Sequence, residues 1–290
     1  MSRLQKYSIR DLKRDFPTDE ACVEFLFDAL HSHKCSCGGE YKPKTGRRQY
    51  QCSKCRFQIA PTAGTIFHKS DTPLTLWFHA IFVFSNAKSG VSAKELERQL
   101  GVTYKTAWRI LKLIRKALPQ EDNFLSGIVE TDTAYFGGRF ESGTDNKRQK
   151  EAIAAKSVIL GAVERQGRVR VKVSPDAKAK SIWRFLDANI NPITSQLMTD
   201  KGAAYKTGAK GYNRQSVDHS KKEYVRGNVY VNTMDAFWAH VKRSVSGTHK
   251  VISKKHLQSY LDGFAFHYNN RRNDRERFSA LLGALLRPVK

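Results

Sequence analysis

Gly127-Ile128-Val129-Glu130-Thr131-Asp132-Thr133-Ala134-Tyr135-Phe136-Gly137-Gly138 is the stretch on which the reading of this chain turns. It opens on β-prone residues and closes on a glycine pair. That pattern predicts a short strand stopped by a turn, with Glu130 and Asp132, two apart, on one face. An ionised carboxylate in mid-strand is costly to bury without a partner or a metal, whereas a solvated edge strand carries the same acids freely. Two further acids, Asp200 and Asp235, lie downstream in a chain that is otherwise strongly basic.

The chain has 290 residues, long enough for two or three units that each bury a core. Lys and Arg number 51 against 27 Asp and Glu, a formal charge of +24, and the pI is about 9.9. Such an excess predicts a polyanionic partner: nucleic acid first, an acidic membrane surface second. No apolar run reaches the roughly 18 residues that a spanning helix needs, and no signal peptide opens the chain. The expectation is therefore a cytoplasmic, nucleoid-associated protein with no membrane partner. Four of the five cysteines fall within 35–55, which predicts a metal site in a reducing compartment rather than a disulfide framework.

From the N-terminus, Thr18 and the acids after it open an amphipathic helix over 18–30, with Cys22 in its apolar face. Cys35 and Cys37, then Cys52 and Cys55, have the layout of a zinc ribbon; the first pair is tight, with one residue between. His33, two positions before Cys35, is the alternative ligand. The basic loop at 42–48 carries Arg47 and Arg48 as DNA contacts. A helical pattern begins after Pro73. Ser92 to Glu95 is a capping box, Gly101 a turn, and Tyr104 starts a basic helix. This is a helix-turn-helix layout, although an ordinary helical hairpin looks the same. On the first reading Tyr104, Lys105 and Arg109 face DNA while Ala107, Ile110 and Leu111 pack inward.

The residues at 119–123 read as the main linker. Beyond the strand at 127–138 and a polar loop at 139–150, strands are expected at 157–163 and 168–173, joined at Gln166-Gly167. A helix follows at 176–190 with Ile182, Trp183, Phe185 and Leu186 inward, and a strand at 195–200 ends in Asp200. Open α/β sheets place their sites at such carboxyl ends. These elements predict an α/β domain with a mixed sheet. His219 and Tyr224 are further polar markers. Asn232 or Thr233 is expected to cap a helix carrying Asp235 in its first turn. Lys242, seven positions on, returns to nearly the same azimuth.

Taken together the chain resembles, over almost its whole length, the zinc-ribbon group of bacterial insertion-sequence transposases related to the eukaryotic Merlin elements. The resemblance rests on the helix before the ribbon and on the stretches 52–58, 64–70 and 74–78. It continues through Val129 to Asp132 with Tyr135 and Gly137-Gly138, and through the Asn232-Thr233 helix with Trp238 and Lys242-Arg243. Gly247-Thr248-His249, Lys255-His256-Leu257, Tyr260-Leu261 and Phe264-Ala265-Phe266 complete it.

What the resemblance implies is an RNase H-like catalytic domain over 124–290, preceded by a helical segment (1–33), a zinc ribbon (34–69) and a helix-turn-helix-like region (70–119). Asp132, Asp200 and Asp235 match the DDE-type acids, and Lys242 matches the lysine that follows them. Asn232, Arg243 and His249 are carried over as DNA contacts. The implied cofactors are structural Zn²⁺ and two catalytic Mg²⁺ ions, for which Mn²⁺ can substitute. The implied partners are terminal inverted repeats, target DNA and a second copy of the chain or more. The sequence departs from the family pattern at Thr133 and Asp235, where glutamate is usual, and at Val231, where histidine is usual. A silent zinc-ribbon regulator would leave the three acids without a task. A stand-alone nuclease would not need two DNA-binding modules in front.

Overall fold

The computed structural model of the chain describes residues 7–118, 123–137, 156–218, 221–272 and 274–286. The residues at 119–122, the polar loop at 139–150 and His219 lie outside them. Two compact units emerge: Met1–Pro119 with Asn270–Lys290, and Gln120–Asn269.

In the first unit, helices α1 (Ile9–Asp15) and α2 (Asp19–Leu30) are capped by the hydroxyls of Ser8 and Thr18, which accept the N–H groups of Asp11 and Ala21. A small antiparallel sheet follows, β1 (Tyr41–Pro43), β2 (Tyr50–Cys52) and β3 (Gln58–Ile59) in that order. So few strands cannot bury a core alone. Tyr50 therefore stacks on Phe27 of α2 with ring centroids 3.8 Å apart. Helix α3 (Leu74–Asn86) buries Leu74, Trp77, Phe78, Ile81 and Phe84. Helices α4 (Ala93–Leu100) and α5 (Tyr104–Lys116) meet at Gly101, whose φ of 65° is the left-handed conformation that ends α4. Ser92 caps α4, but Glu95 turns its carboxylate to Arg98 and Gln99, so the expected capping box is only half formed. On α5, Ala107, Ile110 and Leu111 are buried and Tyr104, Lys105 and Arg109 are exposed.

The second unit is built on a five-stranded mixed sheet: β4 (Leu125–Phe136), β5 (Ser157–Glu164), β6 (Val169–Ser174), β7 (Ile190–Asp200) and β8 (Asn213–Val217). The spatial order is β6-β5-β4-β7-β8. The first three strands pair antiparallel, and β4–β7 and β7–β8 pair parallel. Strand β4 is central, which is why its residues are buried on both faces rather than in strict alternation. Helices α6 (Ala179–Asn189) and α7 (Ala203–Gly208) pack on one face with Val129, Leu160 and Leu197. Helices α8 (Asn232–Ser244) and α9 (Leu257–Asn269) cover the other, against Ala134, Phe136 and Ile159. At the β6 edge, Asn269 and Gln258 of α9 bond the backbone of Val169, Val171 and Val173, much as a sixth strand would.

Several expectations need correction. Strand β7 begins at Ile190, not 195, and its register against β4 slips between Leu125 and Gly127 of that strand. Strand β8 was not foreseen, because Asn-Arg-Gln-Ser-Val is too polar to signal an edge strand by periodicity. Trp183, expected inward, is 46% exposed, since the buried stripe of α6 runs through Ile182, Phe185 and Leu186. The second compact unit, Gln120–Asn269, stops short of the 124–290 span expected for one domain. The last helix, α10 (Asp274–Leu285), belongs to the first unit, where Phe278 stacks on Tyr7 at 4.7 Å and buried Arg277 donates to the Ser85 carbonyl at 3.0 Å.

Candidate active site

Asp132 lies midway along β4, Asp200 at the carboxyl end of the adjoining parallel strand β7, and Asp235 in the first turn of α8. Asp132 and Asp200 are partly buried and Asp235 is exposed. The Asp132 carboxyl is pushed up to about 6. Burial is the main cause, and the negative charges of Asp235 and Asp200 add to it, against the opposing N–H of Thr133. Asp132 therefore feels both of the other acids. The three do not crowd into single-ion range: among the described residues, only the cysteine cluster below brings three or more such ligand atoms within 4.8 Å of one another.

Small residues and donors shape this place. Gly161 of β5 stands directly across from Asp132. A Cβ there would lie 2.5 Å from both Met234 Cε and Trp238 Cζ2, so only glycine lets α8 approach the sheet this closely. The Gly202 N–H donates to Asp200 Oδ1 at 3.1 Å, and Arg214 reaches the Asp200 carbonyl and Thr199 Oγ1, both at 2.8 Å. At Thr133, the next residue along β4 from Asp132, Oγ1 is 3.1 Å from the Tyr205 hydroxyl, and burial pushes that phenol well above the usual range.

The residue that sequence reasoning undervalued is Glu130. It is fully buried. Its Oε2 accepts the N–H groups of Thr233 (2.7 Å) and Met234 (3.1 Å); its Oε1 accepts Thr233 Oγ1–H (2.9 Å) and Arg165 Nε–H (2.7 Å). The expected cap at Asn232 or Thr233 is thus replaced: no side chain of α8 caps its own start, and a carboxylate from the sheet does so instead. The available signal was an acid two positions before Asp132 on the same strand face, next to a β-prone pair.

Asn232 is exposed at the first turn of α8; Lys242 and Arg243 are exposed in its last turn. After α8 the backbone makes a π-turn, Val245–His249, and the His249 ring rests 4.9 Å from that of Tyr260.

In the first unit, Cys35, Cys37, Cys52 and Cys55 bring their sulfurs within 4.8 Å of one another. The Cys37 N–H and the Tyr41 hydroxyl hold the Cys35 thiol down at about 6. Gly39 is required here, since a Cβ would stand 2.7 Å from Cys52 Sγ. Four sulfurs supplied with backbone donors fit a soft metal ion. His33, the alternative ligand, lies outside the cluster with Nε2 2.9 Å from Asp28 Oδ1. Arg47 is exposed. Arg48, expected at the DNA, has partners within its own unit. It donates to Asp19 Oδ2 (2.8 Å) and to the carbonyls of Ser70 (2.9 Å) and Thr72 (3.1 Å), and so ties the ribbon to α2 and to the segment that leads into α3.

Residues 124–269 match the model of the ISXO2-like transposase domain, half of the chain. The chain belongs to that family, insertion-sequence transposases of the DDE type. A relative from Halobacterium salinarum, described as an uncharacterized protein in transposable element ISH50, is 26% identical over 229 residues, spanning 75% of this chain and 77% of the relative. No solved structure matches. No helix among the described residues is long and apolar enough to cross a membrane.

Proposed function

We propose that the chain is a DNA transposase that binds the terminal inverted repeats of its element, cleaves the ends and joins the freed 3′-hydroxyl to target DNA. The observation that carries this reading is the placement of Asp132 in central β4, Asp200 at the end of the adjoining β7 and Asp235 in the first turn of α8, near enough for the charges of Asp235 and Asp200 to raise the partly buried Asp132 carboxyl. Carboxylates that repel one another in a chain of net charge +24 attract cations between them. The central β4, antiparallel to β5 and parallel to β7, supports an RNase H-like reading of this unit.

The donors are hard oxygens, which suit two magnesium ions, or manganese in their place. Magnesium held by Asp132, Asp200 and Asp235 would activate the attacking water or 3′-hydroxyl and stabilise the leaving oxygen. The chain's own residues do the rest. Gly202 N–H and Arg214 orient Asp200, and Lys242 offers a cation to a DNA phosphate. Arg243, Asn232 and His249 extend that surface. In the first unit the four cysteines hold structural zinc, and Arg47, Tyr104, Lys105 and Arg109 contact the element ends, with α4 and α5 as a helix-turn-helix. The working form is a homodimer or larger on DNA.

The test uses the purified chain, magnesium and labelled element ends. Asp→Asn at 132, 200 or 235 should abolish strand cleavage and preserve end binding, since losing negative charge does not harm a phosphate-binding surface. Full cleavage by Asp235→Asn would sink the assignment of the third acid.

A further inference from the structure

We infer that Glu130, clamped by Arg165, is a positioning residue that sets Asp235 against Asp132. The inference rests on the reading of the three acids given above and deepens it. Glu130 and Asp132 are two apart on β4, while Thr233 and Met234, whose N–H groups Glu130 accepts, directly precede Asp235. One buried carboxylate therefore joins the strand of the first acid to the helix turn of the third. Arg165, just beyond β5, is 14% exposed and uses its whole fork. Nε holds Glu130, Nη1 and Nη2 donate to the carbonyls of Asn228 (2.8 Å) and Tyr230 (3.0 Å), and the guanidinium lies 3.5 Å over the Tyr230 ring. The same side chain thus ties down the segment that leads into α8.

This arrangement leaves Glu130 no oxygen to offer a metal, because both are already taken by four donors. It also answers a demand of the site. Asp235 reaches by a single methylene, so a shift of about 1 Å at the start of α8 displaces its oxygens from a productive position. A helix capped only by its own Asn or Thr would be held to itself and not to the sheet. The Glu130 bridge holds it to the strand that bears Asp132.

The experiment measures Mn²⁺ affinity of the full-length chain as purified, by the electron paramagnetic resonance signal of free Mn²⁺. Wild type, Glu130→Gln, Asp235→Asn and the double variant are compared. Outer-shell partners typically contribute a factor of 10–100 in metal affinity, so Glu130→Gln should weaken Mn²⁺ binding about tenfold. In the Asp235→Asn background the same change should have no further effect, because its influence runs through Asp235. A second, equal loss in that background overturns the inference, since Glu130 would then support the fold at large. If Asp235→Asn weakens Mn²⁺ binding while Glu130→Gln does not, positioning fails and the three-acid reading stands. If Asp235→Asn leaves affinity unchanged, the three-acid reading itself fails. Should Glu130→Gln not fold, Arg165→Lys, which keeps the charge and loses the fork, is taken through the same cycle with the same expected non-additivity.

Discussion

Replacing Asp132 by Asn should make the metal-free protein more stable at alkaline pH, although Asp132 is the central acid of the site. Its carboxyl is raised from 3.8 to about 6 by burial and by the charges of Asp235 and Asp200. Each pKa unit corresponds to about 1.4 kcal/mol, so ionising Asp132 in the folded chain costs on the order of 3 kcal/mol. The sign follows from proton binding. Between these two values the folded state holds more protons than the unfolded state, so stability falls as pH rises through that window. The penalty is absent below about pH 4 and complete above about pH 6. An amide cannot ionise and escapes it. Hydrogen exchange of the β4 and β5 amides reads the opening of this unit alone. At pH 8 with chelator, Asp132→Asn should slow their exchange about a hundredfold, the equivalent of 3 kcal/mol. Near pH 4 variant and wild type should match, and added magnesium should narrow the gap at pH 8 by relieving the same repulsion. No slowing at pH 8, or an equal slowing at pH 4, would refute the electrostatic account of Asp132.

Three further outcomes are expected. Gly161→Ala forces a methyl to within 2.5 Å of the Trp238 ring, so it should destabilise the second unit by about 1–3 kcal/mol in denaturant melts and reduce cleavage; an unchanged melt would mean α8 gives way freely. Cys52→Ser, or treatment with a strong chelator, should release one zinc per chain and abolish end binding, whereas His33→Ala should leave the zinc content intact; metal analysis decides both. Arg109→Ala should weaken binding to element ends more than to random duplex, with a steep salt dependence throughout. Arg48→Ala should instead lower the melting temperature, and equal losses on both DNAs for Arg109→Ala would demote α5 to backbone contact.

What the sequence determined by itself was local or compositional. The charge of +24, the paired cysteines, the glycine at the α4–α5 turn and the β-prone run into Asp132 are all carried by neighbours in the chain, and each was legible there. The tertiary structure decided what depended on distant partners. Glu130 became a helix cap because Thr233, more than a hundred positions away, packs beside it. Arg48 turned inward because Asp19 and the carbonyls of Ser70 and Thr72 converge on it. The α10 helix joined the first unit through Phe278 and Tyr7, at opposite ends of the chain. Strand β8, too polar for periodicity to reveal, exists because β7 offers it an edge to pair with. A side chain's type states which bonds it can make. Which of them it does make depends on what the fold brings within about 3 Å, and no spacing along the chain encodes that.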